Sequence, residues 1–249
     1  MKLIFATILI TGMVYLATQI LTAQTYTGTT VYLAGDSTMA SQLPSRRPMT
    51  GWGEPFSSML CNNARVINRA ENGRSTKSFL TDGLWTNLIS ELSTGDIVMI
   101  QFGHNDQKLN NPRVYASAFE DYRENLQRFI TDVRSRDATP ILLTSIVRRA
   151  FDSEGNLQRT LGDYPAATRN VAFEMQAILI DVNAILYELV QSKGPVASKN
   201  WYLHLKPDSH HNYKEGIKDN THLSAEGALE VGILVAAELK KIRPNLVCL

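Results

Sequence analysis

The chain has 249 residues, 44% of them hydrophobic and 20% charged, with 15 Gly and 9 Pro. That balance suits a globular domain large enough to bury a core, and it excludes a disordered or collagen-like chain. The net charge is only +1 and there are two Cys, which argues against nucleic-acid binding and a four-Cys zinc site.

Residues 1–23 join Met1 and Lys2 to a mostly apolar run from Leu3 to Ala17, then Thr18-Gln19 and Ile20-Leu21-Thr22-Ala23. A positive charge, an apolar stretch and a small residue before a cut predict a signal peptide, with 24–249 as a single mature domain. A retained membrane anchor is the alternative, because the run approaches spanning length. Thr7, Thr11, Thr18 and Gln19 weaken it. The expected address is therefore secreted or periplasmic. There a Cys61–Cys248 bridge is chemically possible, with two unpaired thiols as the alternative.

Thr30 to Ala34 reads as a first strand ending at Gly35, Trp52 to Leu60 as a helix, and Arg65 to Asn68 as a second strand. Thr76 to Leu92 reads as one helix and Asp96 to Phe102 as a buried third strand. Phe119, Tyr122, Leu126, Phe129 and Val133 then recur at helical spacing. Pro140 to Ser145 and Ala177 to Asp181 are two more strands, each followed by a helix (Pro165 to Met175 and Val182 to Gln191). Gly194 to Lys218 carries no pattern and reads as a long loop. Ser224 caps a last helix whose apolar stripe is Leu229, Ile233, Ala236 and Leu239. Strands alternating with helices predict an α/β fold with a parallel sheet covered on both faces.

Ligands of such sheets bind beyond the carboxyl ends of the strands. The segments there are Gly35-Asp36-Ser37-Thr38, Asn68 to Ser75, Gly103-His104-Asn105-Asp106 and Ser145 to Arg149, joined by Asp219-Asn220-Thr221-His222 before the last helix. Together they hold the parts of an acyl-transfer site. Ser37 is a candidate nucleophile and His222 its base. Asp219, three residues earlier on the same predicted loop, is placed to orient the imidazole. The N–H groups of Ser37 and Gly73 and the Asn105 amide are candidate oxyanion donors. Taken singly, each has a plainer reading: Ser37 as a helix cap, Asn105 as a turn residue, His222 as an inert surface group.

Taken together, the blocks resemble the SGNH (GDS-type) hydrolases: Ser37 in Gly-Asp-Ser, Gly73, Asn105 in Gly-His-Asn-Asp and His222 in Asp-x-x-His. Gly35-Asp-Ser-Thr-Met39, Gly51-Trp-Gly53, Asn72 to Phe79, Gln101 to Asp106 and Asp219 to Ser224 are similar to the rhamnogalacturonan acetylesterase branch. The resemblance implies a three-layer α/β/α sandwich on a five-stranded parallel sheet, flavodoxin-like in plan. It implies ester hydrolysis without metal or cofactor, with Ser37, Asp219 and His222 catalytic and Ser37, Gly73 and Asn105 forming the oxyanion hole. The substrate it implies is acetylated polysaccharide, with rhamnogalacturonan as the first expectation. Acetylated xylan, a lipid ester and a non-catalytic carbohydrate-binding role are the alternatives. A monomer that binds no nucleic acid is expected.

Arg74, Lys77, Arg148 and Arg149 are expected to place positive charge at the rim, with Arg74, His104 and Arg148 as substrate contacts; ordinary salt bridges are the plainer reading. Trp52, Trp85 and Trp201 are candidates for stacking on sugars, with core packing expected for at least two. His204, Asp208, His210 and His211 invite a metal reading, but their spacing matches no common zinc pattern.

Overall fold

The computed structural model describes residues 28–249; the expected signal or anchor at 1–23 lies outside them. Five parallel strands form the main sheet in the order β2-β1-β3-β4-β5. They are β1 (Thr29–Gly35), β2 (Ala64–Asn68), β3 (Ile97–Gln101), β4 (Thr139–Leu143) and β5 (Ile178–Ile180). In register, Leu33 of β1 lies between Asn68 of β2 and Met99 of β3.

Side chains alternate across each strand, so every strand feeds two cores. Val31, Leu33, Ile97, Met99, Ile141 and Leu143 point to one face. There they meet α1 (Gly53–Phe56), α6 (Val182–Ala197) and α7 (Ala225–Ile242). Tyr32, Ala34, Val98, Ile100 and Leu142 point to the other, against α2 (Thr76–Thr81), α3 (Leu84–Glu91), α4 (Asp121–Arg134) and α5 (Tyr164–Glu174). The result is the three-layer sandwich.

The structure corrects five local expectations. The helix expected over Trp52 to Leu60 stops early, passing into a 3₁₀ turn at Ser57–Met59. The helix expected over Thr76 to Leu92 is two helices, because Gly83 adopts φ 78°, a left-handed turn that L side chains avoid. Phe119 precedes α4 and is half exposed. In α7, Leu229 and Ile233 face solvent, and Ala228, Val231, Val235 and Leu239 are buried. Small residues set that rotation: a Cβ on Gly232 would lie 3.2 Å from Met59 and 3.4 Å from the Trp52 carbonyl, so α7 packs closely on α1. The supposed loop at 194–218 contains β6 (Tyr202–Leu205), which pairs antiparallel with β7 (Ile217–Leu223).

Cys61 and Cys248 form a disulfide across 187 residues of sequence. The tail is also held by hydrogen bonds from Cys61 N–H to the Leu246 carbonyl (2.9 Å) and from Cys248 N–H to the Met59 carbonyl (3.0 Å). Closing so long a loop restricts the unfolded chain, so Cys61→Ser/Cys248→Ser should lose about 2–4 kcal/mol of stability. Urea titration of both proteins checks this; coincident curves would contradict it.

Candidate active site

The carboxyl ends of β1 and β3 lie side by side where the strand order reverses direction, and the candidate residues follow them directly. Ser37 comes two residues after β1, and Asn105 four residues after β3. Asp219 and His222 belong to β7 rather than to a loop. Its sequence, Ile-Lys-Asp-Asn-Thr-His-Leu, has too little apolar alternation to announce a strand.

His222 Nδ1 lies 2.6 Å from Asp219 Oδ2, and His222 Nε2 lies 2.9 Å from Ser37 Oγ. Asp219 Oδ1 also accepts the backbone N–H groups of Thr221 (2.7 Å) and His222 (2.9 Å). Burial works against the Asp219 charge, but the bonds from His222 and Thr221 outweigh it and hold the carboxyl down to about 2. An ionised carboxylate only accepts, so Nδ1 carries the proton and Nε2 is left to accept from Ser37. This is the arrangement a serine needs to lose its proton while attacking a carbonyl.

Asn105 is held from both ends of its amide. Lys108 Nζ donates to Oδ1 at 2.6 Å, and Nδ2 donates to the Arg74 carbonyl at 2.8 Å. One Nδ2 hydrogen remains free. Among the described residues the N–H groups of Ser37 and Gly73 have no acceptor, so all three are available to an oxyanion. Gly73 has φ 76° and nothing within 4 Å of a Cβ position, so backbone conformation rather than crowding favours glycine there. Gln42 ties its turn to that of the serine: Nε2 donates to the Ser37 carbonyl and to Asn72 Oδ1, each at 3.0 Å.

A cavity of about 170 Å³ is lined by Ser37, His104, Asn105, Lys108, Arg148, Asp219, Thr221 and His222. Beneath it lies a second carboxylate–imidazole pair. Asp36 is fully buried; its Oδ2 is 3.2 Å from His104 Nδ1, and its Oδ1 accepts the Thr38 N–H (2.9 Å) and hydroxyl (2.8 Å). Burial raises its pKa, but His104 and the Thr38 donors outweigh that and keep it below the usual carboxylate range. His104 Nε2 is buried with no hydrogen-bond partner among the described residues.

Residues 33–228 match the model of the GDSL-like Lipase/Acylhydrolase family. The chain belongs to this family. It is 38% identical over 212 residues to rhamnogalacturonan acetylesterase RhgT of Bacillus subtilis, covering 85% of this chain and 90% of that one. Protein YxiM of Bacillus subtilis has a similar structure, with TM-score 0.74 and 26% identity, over 87% of this chain and 57% of that longer one. The acetylxylan esterase Axe2 of Geobacillus stearothermophilus shares the fold, with TM-score 0.56 and 16% identity, over 87% and 95% of the two chains. The protein is thus a carboxylic ester hydrolase of the SGNH type.

Other sequence candidates fall in less exposed roles in this family member. Arg149, expected at the rim, is buried; it bonds Ser198 Oγ (3.1 Å), Asn220 Oδ1 (3.0 Å) and the Pro195 carbonyl, which anchors β7 beside Asp219. The Arg74 side chain pairs with Glu71 (3.3 Å) and Asp82 (3.2 Å). Lys77 donates to the Pro112 carbonyl. Arg148 bonds Thr221 Oγ1 (3.2 Å) and the His104 carbonyl (3.4 Å). Trp52, Trp85 and Trp201 are all in the core. His210 and His211 stack at 4.4 Å, and among the described residues no three His, Cys, Asp or Glu side chains form a group able to hold a metal.

Lys108 and Gln42 escaped the sequence reading, since nothing but proximity in the fold sets them apart from other polar residues. Asp106 is a third omission. Its Oδ1 accepts the N–H (2.9 Å) and hydroxyl (2.6 Å) of Thr76, tying the turn after β3 to the start of α2. Burial pushes its carboxyl up to about 7 despite the Thr76 donors.

Two predictions arise here. Asn105→Ala should lower kcat by about 10²–10³ and Lys108→Met by about tenfold, both with KM little changed. The Lys108 effect should disappear in the Asn105→Ala background; its persistence there would mean that Lys108 does not act through Asn105. For Asp106, a folded-state pKa above the unfolded value of about 4 stabilises the fold fully below pH 4. That contribution is lost as pH rises through about 7. The groups held low, Asp36 and Asp219, stay ionised across that window. Stability from urea titrations should fall between pH 4 and 7, and less so in Asp106→Asn; equal slopes would contradict the assignment.

Proposed function

We propose that the protein is an exported serine acetylesterase that removes O-acetyl groups from plant cell-wall polysaccharide, acetylated rhamnogalacturonan above all. The observation that carries this reading is the Asp219–His222–Ser37 chain of hydrogen bonds, at 2.6 and 2.9 Å, beside the held amide of Asn105. Similarity to a rhamnogalacturonan acetylesterase along 85% of the chain supports the substrate. The disulfide and the signal-like amino end support export.

In this mechanism Ser37 Oγ attacks the acetyl carbonyl as His222 Nε2 takes its proton. Asp219 steadies the imidazolium so formed. The carbonyl oxygen, now anionic, is met by the N–H groups of Ser37 and Gly73 and the free amide hydrogen of Asn105. Collapse breaks the ester bond, and His222 returns the proton to the departing sugar hydroxyl. Water, deprotonated by the same imidazole, then frees acetate from Ser37. A small acyl group suits a cavity of about 170 Å³ whose lining is polar and charged.

Acetate release from acetylated rhamnogalacturonan, acetylated xylan and p-nitrophenyl acetate tests the reading. The wild type should be most active on the first, and Ser37→Ala should lose nearly all turnover on each. Preference for xylan would overturn the polymer assigned. Undiminished turnover in Ser37→Ala would overturn the mechanism.

A further inference from the structure

A second cavity, of about 110 Å³, adjoins the catalytic one, with Arg148 lining both. Its wall includes Arg148, Arg159, Arg169, Asn183 and Tyr187, and no Asp or Glu. Arg169 is neutralised by Asp181, at 2.7 and 3.0 Å. The other two guanidinium groups meet no carboxylate within 4 Å among the described residues. Among the described residues Arg148 donates to neutral groups: Thr221 Oγ1 and the Thr160 and His104 carbonyls.

Arg159 is held over an aromatic ring. Its guanidinium lies 4.2 Å from the centroid of the Tyr187 ring. The ring itself is fixed, because Tyr187 Oη donates to the Leu157 carbonyl at 2.8 Å. Held over the ring by a cation–π contact, the guanidinium spends no donor on an acceptor among the described residues, and the partner whose geometry matches its fork of donors is a carboxylate. Asp36 and Asp219 act on Arg148 from a distance, and no carboxylate touches either guanidinium, so an anion entering this concavity would meet donors that no acidic side chain occupies.

We infer that this cavity is a subsite for the carboxylate of an acidic sugar unit next to the acetylated one, with Arg159 as its principal contact and Arg148 as the wall it shares with the catalytic cavity. The inference rests on the polysaccharide reading above and deepens it. It makes the enzyme selective for acetyl groups on chains that carry uronic acids. It also gives Tyr187 a positioning role, since the ring orients Arg159.

The test compares an acetylated oligosaccharide containing uronic acid with the same material after methyl esterification of its carboxyl groups. Wild type should show higher kcat/KM on the acidic form. Arg159→Gln should lower the ratio of the two efficiencies about tenfold, the scale of one charged hydrogen-bonded contact. Tyr187→Leu should lower it less, and an unchanged melting temperature in Arg159→Gln excludes a folding defect. A ratio that stays the same in Arg159→Gln overturns the subsite. Inorganic phosphate supplies the other arm: inhibition relieved by Arg159→Gln with no change in the ratio would mean a free-anion site, which also overturns it. If wild type releases acetate from neither form yet still hydrolyses p-nitrophenyl acetate through Ser37, the polysaccharide reading fails and the subsite with it.

Discussion

The parallel sheet is the constraint on which the site depends. All five strands run the same way, so every strand delivers its following turn to one edge. The chain passes from β1 outward to β2, then back across to β3, which leaves a gap in connectivity between neighbours β1 and β3. Ser37 and Asn105 both follow strands bordering that gap. His222 enters from outside the sheet, on the β6–β7 ribbon, and the buried Arg149 fixes the ribbon through its bonds to Asn220.

Two carboxylate–imidazole pairs share this small volume, and their surroundings divide their tasks. Asp219 is partly exposed and accepts two backbone N–H groups besides its imidazole, so His222 is steered toward Ser37. Asp36 is sealed beneath the serine turn, where the Thr38 donors and His104 stabilise its charge. The first pair faces the Ser37 hydroxyl. The second braces the turn that carries it, with the His104 ring and the Thr38 donors satisfying a buried carboxylate that would otherwise be costly.

Much of this was legible in the chain because the signals were local. Strand ends marked by Gly35-Asp36-Ser37 and Gly103-His104-Asn105 follow short apolar runs of strand length, so chemistry and topology point to the same edge of the sheet. The ribbon that carries Asp219 and His222 was not legible, because β7 is mostly polar and takes its strand form from pairing with β6. The face of α7 was misread because its contact with α1 is made by Gly232, which no hydrophobic pattern records. Lys108, Gln42 and Arg159 carry no motif; their meaning comes from what the fold sets within reach of them.

In the proposed mechanism Ser37 is the nucleophile that carries the acetyl group and His222 is the base that activates it. Intact-mass and peptide-mapping measurement after treatment with a diethyl phosphoryl ester reads both roles at once. One phosphoryl adduct per chain is expected, on Ser37, formed in step with loss of esterase activity and sharply slowed in His222→Ala. An adduct on another residue, or ester hydrolysis that continues at full rate in the fully labelled protein, would contradict the mechanism.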